Sequence, residues 1–146
     1  MKVIVDTNII FSVLLNTNGA IGDLVFNSHR VFQFYSCKHM QFEIDHHWTK
    51  LQRLSKLTQT QLELARSNVF DRIVFINEEL IPSSTWLAAE KLVRDIDLDD
   101  VDFIALTRHL KGFLWTGDKA LYTGLKRKHF LRVMNTRELI DYREKR

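Results

Sequence analysis

Acidic side chains in four stretches are the residues of this chain whose types and placement could carry chemistry. Asp6 ends the apolar run Val3-Ile4-Val5, and Asp118 closes Phe113-Leu114-Trp115-Thr116-Gly117-Asp118. Either could simply cap a following helix, because an aspartate oxygen accepts the free N–H groups of a first turn. Two such carboxylates at the ends of buried, central strands would also lie at one sheet edge, where like charges repel unless a cation or a proton compensates. The run Asp95-Ile96-Asp97-Leu98-Asp99-Asp100-Val101-Asp102 holds more acids than one cap requires, although the helix macrodipole favours one or two there. It lacks the glycine turn and terminal glutamate of an EF-hand loop. Glu43 stands beside Asp45, His46 and His47 in a helical stretch, where a solvated glutamate is the ordinary reading. An oxygen-only donor set without a His or Cys cluster suits a hard divalent ion rather than zinc.

The elements that must position these acids follow from hydrophobic pattern. Val3 to Val5 is a short, purely apolar, β-branched run, as expected of a strand covered on both faces of a parallel sheet. Similar runs recur at Val31 to Ser36, Arg72 to Ile76, Phe113 to Trp115 and Leu131 to Met134. Helical periodicity separates them. From Gln41 to Leu57, apolar residues recur at three- and four-residue spacing through Phe42, Ile44, Trp48, Leu51 and Leu54, and Thr60 to Phe70 repeats the habit. Ser83-Ser84 can cap a helix through Leu92, and Asp97 to Asp100 can open another through Leu110 that Gly112 ends. Strand and helix alternate, which predicts an α/β/α sandwich with a central parallel sheet of about five strands. Ligands of such sheets collect beyond the carboxyl ends of the strands, where Asp6 and Asp118 stand.

Composition bounds the rest. The 146 residues, 45% apolar and 27% charged, suit one globular domain spanning residues 1–146. No apolar stretch approaches the ~20 residues of a membrane span. No secretory leader is evident, and the single cysteine, Cys37, excludes an internal disulfide, so a cytoplasmic protein is expected. The net charge is +3, yet from Lys119 to Arg146 nine Lys and Arg face three acids. That bias suits a polyanionic partner or a solvated basic face.

Taken together, Val5-Asp6-Thr7-Asn8, Glu43 on the third helix, Asp99-Asp100-Val101-Asp102-Phe103-Ile104-Ala105-Leu106 and Trp115-Thr116-Gly117-Asp118-Lys119 resemble the PIN-domain family in order and spacing along nearly the whole chain. The resemblance implies a metal-dependent endoribonuclease, using Mg²⁺ or Mn²⁺, that leaves 5′-phosphate and 3′-hydroxyl ends. It carries catalytic roles onto Asp6, Glu43, Asp100 and Asp118, with Asp6, Asp100 and Asp118 binding metal and Asn8 and Thr116 supporting them. Asp99 and Asp102 rival Asp100 and Asp45 rivals Glu43, but Asp100 and Asp102 point about 200° apart around a helix and cannot both face one ion. Toxin members of the family imply an antitoxin partner, and a homodimer is a further expectation. Lys119, Lys126, Arg127 and Lys128 are the cations nearest a site acid and are expected to hold the RNA backbone.

Two other classes compete. A catalytically silent PIN scaffold would bind RNA or protein without cutting. A receiver-type phosphoacceptor would need paired acids after its first strand and a lone aspartate after its third, where Ile76-Asn77-Glu78 stands. A phosphodonor separates the second from a nuclease, since only a receiver forms an aspartyl phosphate.

Overall fold

The computed structural model describes residues 1–146. Five strands form one parallel sheet: β1 (Lys2–Val5), β2 (Gln33–Cys37), β3 (Ile73–Ile76), β4 (Phe113–Trp115) and β5 (Val133–Met134). Their spatial order is β3-β2-β1-β4-β5. Every pairing is parallel. The central strand is the most apolar one, and Val3, Ile4 and Val5 are fully buried, as a strand covered on both faces requires.

Nine helices connect and cover the strands: α1 (Thr7–Leu15), α2 (Ala20–Asn27), α3 (Lys38–His46), α4 (Trp48–Leu54), α5 (Gln59–Phe70), α6 (Ser83–Val93), α7 (Val101–Leu110), α8 (Lys119–Arg127) and α9 (Thr136–Glu144). Helix α7 lies across β1, β2 and β4 with α6 packed against it, while α1 gathers α2, α3, α4 and α5. The α7 face is built by Phe103, Ile104, Ala105 and Leu106, all buried, which is the apolar run that follows the acidic cluster. No single helix is long and apolar enough to cross a membrane.

Several elements depart from their expected limits, each for a physical reason. The helical stretch expected from Gln41 to Leu57 breaks at His47, whose backbone (φ −100, ψ 14) leaves the helical range between α3 and α4. The bend seats His47 edge-on against Phe11, with ring centroids 5.8 Å apart, and lets both Ile44 and Leu51 reach the core. Phe42 and Leu54, which shared the presumed buried face, are consequently exposed at 64% and 54%. The acidic run does not enter an α-helix directly. Asp97 caps a 3₁₀ turn over Leu98–Asp100 by accepting the Asp99 N–H at 2.9 Å, and α7 begins only at Val101. At its far end the left-handed residue is Lys111 (φ 55) rather than Gly112. Gly112 is needed for another reason: a Cβ there would meet Ile4 Cδ1 at 2.6 Å and the Lys2 carbonyl at 2.8 Å, so β4 can approach β1 only without a side chain. Helix α9 opens with a capping box between Asn135 and Glu138 and is tied to α2 by Arg143 and Asp23 at 2.9 Å.

Candidate active site

The register of the sheet places the first two acids. Val5 pairs with Trp115, so the residues that follow, Asp6 and Thr116, leave the carboxyl edge side by side. Asp6 caps α1, its Oδ1 accepting the Ile9 N–H at 3.0 Å, and is only 3% exposed. Asp118 caps α8 through the Leu121 N–H at 3.1 Å. Buried Thr116 joins them: its Oγ1 accepts the Asp118 N–H at 3.1 Å, and its hydroxyl hydrogen-bonds Asp6. Capping, the modest reading of both aspartates, is thus real, and it aims each carboxylate over the same edge.

Glu43 comes from α3 and is oriented by two groups. The Thr7 hydroxyl donates to its Oε1 at 2.5 Å, and His39 Nε2 stands 3.5 Å from the same oxygen. Asp100, the last residue of the 3₁₀ turn, completes the set. Its Oδ2 is the one buried side-chain nitrogen or oxygen of the chain without a hydrogen-bond partner.

Electrostatics reports the convergence. Burial pushes the Asp6 carboxyl up from 3.8 to about 6, the Ile9 N–H and Thr116 hydroxyl pull it down, and the charges of Asp118 and Glu43 raise it again. Asp100 is pushed up to about 7, first by burial and then by Asp97, Asp6, Asp118 and Asp99. Carboxylates crowded in this way favour any bound cation over the empty state. An orphaned buried oxygen amid oxygen-only donors fits a hard divalent ion.

The rival acids are placed differently. The Asp102 carboxyl is raised first by burial and faces His39, Glu78 and, of the four acids, Glu43 alone; neither Asp6 nor Asp118 figures in its surroundings. Asp99 is exposed, and Asp45 is paired with Arg66 at 3.0 Å. The most compact group of ligand-type atoms in the chain is not the four-acid set but Cys37, Glu78 and Asp102, within 4.8 Å of one another. We read it as a capping network, since Glu78 accepts the Lys38 N–H at 3.1 Å and the His39 N–H at 2.9 Å at the start of α3. The Cys37 thiol, pushed up chiefly by burial, stays protonated there.

Asn8 is exposed, and only its backbone carbonyl is engaged, by Ser12 at 3.1 Å. Lys119 lines a cleft of about 330 Å³ with Thr116, Asp118, Tyr122 and Arg137. Lys126 lies over the Tyr122 ring at 5.3 Å, and Arg127 is exposed. Lys128 turns away, donating to the Leu92 carbonyl at 2.7 Å and pairing with Asp95. Thr7 and His39 are the supporting residues that sequence reasoning misses. For His39 the i, i+4 spacing to Glu43 was a usable signal; the link from Thr7 to Glu43, 36 residues apart, had none.

The carboxyl edge of the five-stranded parallel sheet thus carries four carboxylates, those of Asp6, Glu43, Asp100 and Asp118. The chain matches the PIN domain family over residues 4–139 and belongs to it. PIN domains are generally nucleases, and those nucleases use divalent metals. Among solved structures, VapBC2 from Rickettsia felis bound to a DNA fragment from their promoter is similar, with a TM-score of 0.69 at 14% identity, covering 92% of this chain and 98% of that one. That likeness shows the fold. No curated protein sequence matches the chain.

Proposed function

We propose that the protein is a divalent-metal-dependent endoribonuclease, with Asp6, Asp100 and Asp118 holding Mg²⁺ or Mn²⁺ and Glu43 completing the catalytic set. The observation that carries this reading is Asp100 Oδ2, buried without a partner beside two other carboxylates. When bound, the ion supplies Lewis acidity that makes water nucleophilic near neutral pH and offsets charge on the scissile phosphate. The chain's own groups do the rest. Thr116 holds Asp6 and Asp118 in relative register. Thr7 and His39 stand against the Glu43 carboxylate, to which we assign acceptance of the proton released by attacking water. Lys119 and Arg137 on the rim of the adjoining cleft offer charge to the RNA backbone.

The test is cleavage of single-stranded RNA with Mg²⁺ or Mn²⁺. Loss of cleavage in EDTA and in Asp6→Asn is expected, and cleavage that survives excess chelator would overturn the reading.

A toxin role is supported by a groove of about 210 Å³ between α1 and α4, lined by Phe11, Leu15, His47, Lys50, Leu51 and Leu54. Its apolar walls suit the tail of an antitoxin, and an Arg of that tail would block the acids by pairing with a carboxylate in two places. The similar VapBC2 assembly is the analogy for such a pair. Expression of the wild-type protein alone should arrest growth and Asp6→Asn should not. Equal growth of the two would leave a housekeeping nuclease.

A further inference from the structure

At the opposite end of the sheet from the acids, Arg108, Lys111, His129 and Arg132 surround a pocket of about 410 Å³ with Phe130 and Leu131 and without any acidic residue. We propose that this basal pocket is a second phosphate-binding site, which holds the backbone of an RNA strand whose other part lies on the catalytic edge. The proposal rests on the ribonuclease reading.

Three observations carry it. First, Arg108, Lys111 and Arg132 line one pocket that no acidic residue enters, and none of them forms an ion pair. Unpaired cations that converge without acids between them make a field suited to an anion. Arg132 is also held in place: its Nη1 donates to the Lys111 carbonyl at 2.6 Å, and its guanidinium lies 5.8 Å from the Phe113 ring centroid. A fixed planar guanidinium presents paired donors to a phosphate.

Second, the only non-glycine residues with positive φ are Lys111 (φ 55) and His129 (φ 62), and both line this pocket. That conformation is unfavourable for L side chains and free for glycine, so a fold indifferent to side chain would place glycine there. Two basic residues stand there instead.

Third, helix α8 joins the catalytic edge to the pocket, with cations at both of its ends. Helix α8 starts at Lys119 beside Asp118, ends at Lys126 and Arg127, and is followed within two residues by His129. Nine helical residues span about 14 Å at 1.5 Å each, a distance a short single strand bridges. Leu131, 63% exposed on the pocket wall, offers an apolar surface to a sugar or base.

The experiment measures binding of a dinucleotide, too short to reach both sites, and of single-stranded RNA of roughly 16 nucleotides, to the cleavage-dead Asp6→Asn protein at several salt concentrations. Arg108→Gln with Arg132→Gln is expected to lower the salt slope for the longer RNA by about 1.4, the loss of two phosphate contacts, and to leave the shorter RNA unaffected. An unchanged slope with the longer RNA would overturn the proposal while leaving the nuclease reading intact. Failure of both RNAs to bind, together with absence of cleavage by the wild-type protein, would bring down the nuclease reading and this one with it. Arg108→Gln alone changes an exposed side chain with no hydrogen bond and serves if the pair fails to fold; its expected slope change is about 0.7. Lys111→Gly separates binding from folding. It should keep or raise the unfolding midpoint, by relieving the left-handed backbone, and still weaken the longer RNA; undiminished affinity would show that the charge has no such role.

Discussion

Replacing Asp6 by asparagine should make the metal-free protein more stable as well as inactive. Asn keeps the volume and can still accept the Ile9 N–H, so the α1 cap survives. What disappears is a buried charge. The Asp6 carboxyl titrates near 6 in the fold against 3.8 ordinarily, so the folded state holds its proton over that interval and the unfolded state does not. Stability from this group is therefore complete below about 4 and is lost as pH rises towards 6. At about 1.4 kcal/mol per pH unit, the gap between 3.8 and about 6 amounts to roughly 3 kcal/mol. Relaxation of the pocket and residual water reduce that figure, and a gain of about 1–2 kcal/mol for Asp6→Asn at pH 8 is the working expectation. For a chain of this length that corresponds to roughly 3–8 °C in Tm. The assay is thermal unfolding of both proteins in EDTA at pH 4 and pH 8. The variant's advantage should be present at pH 8 and vanish at pH 4. An advantage equal at both pH values, or a variant less stable at pH 8, would refute the argument that Asp6 is a destabilised carboxylate.

Mg²⁺ should reverse this ranking, because the ion binds only the folded carboxylates: at 100 times its Kd it raises wild-type stability by about 2.7 kcal/mol and Asp6→Asn by far less, as differential scanning will report. Asp100→Asn should reduce RNA cleavage by more than about 100-fold and Asp102→Asn by much less, since Asp102 faces Glu78 rather than Asp6 and Asp118; equal losses would relocate the third ligand. Thr7→Val removes the hydroxyl that orients Glu43 and should lower kcat by roughly 10- to 100-fold with little change in KM; a wild-type kcat would end the positioning role. Gly112→Ala should cost about 1–3 kcal/mol by overpacking β4 against β1, because the new Cβ meets Ile4 and backbone, and an unchanged urea midpoint would contradict that contact.

Much of the architecture was legible in local pattern. The run Val3 to Val5 announces a central strand because only a strand covered on both faces tolerates an unbroken apolar sequence, and the alternation of such runs with helical periods leads to a parallel α/β sheet. The family motifs around Asp6, Asp100 and Asp118 are local as well, each sitting where a strand or turn opens a helix. The break at His47 was not legible, because the apolar period runs on through it and only packing against Phe11, 36 residues earlier, favours the bend. The choice between Asp100 and Asp102 belonged to the tertiary structure for the same reason. Spacing dictates that they point apart, but which of them meets Asp6 and Asp118 depends on how the 3₁₀ turn is docked on the sheet edge. Thr7 reaching Glu43 and Arg132 reaching the Lys111 carbonyl are likewise long-range contacts. Sequence by itself determined which residues could carry charge and in which elements they would sit. Proximity between elements set the rest, since desolvation and mutual repulsion act only once distant carboxylates share one pocket.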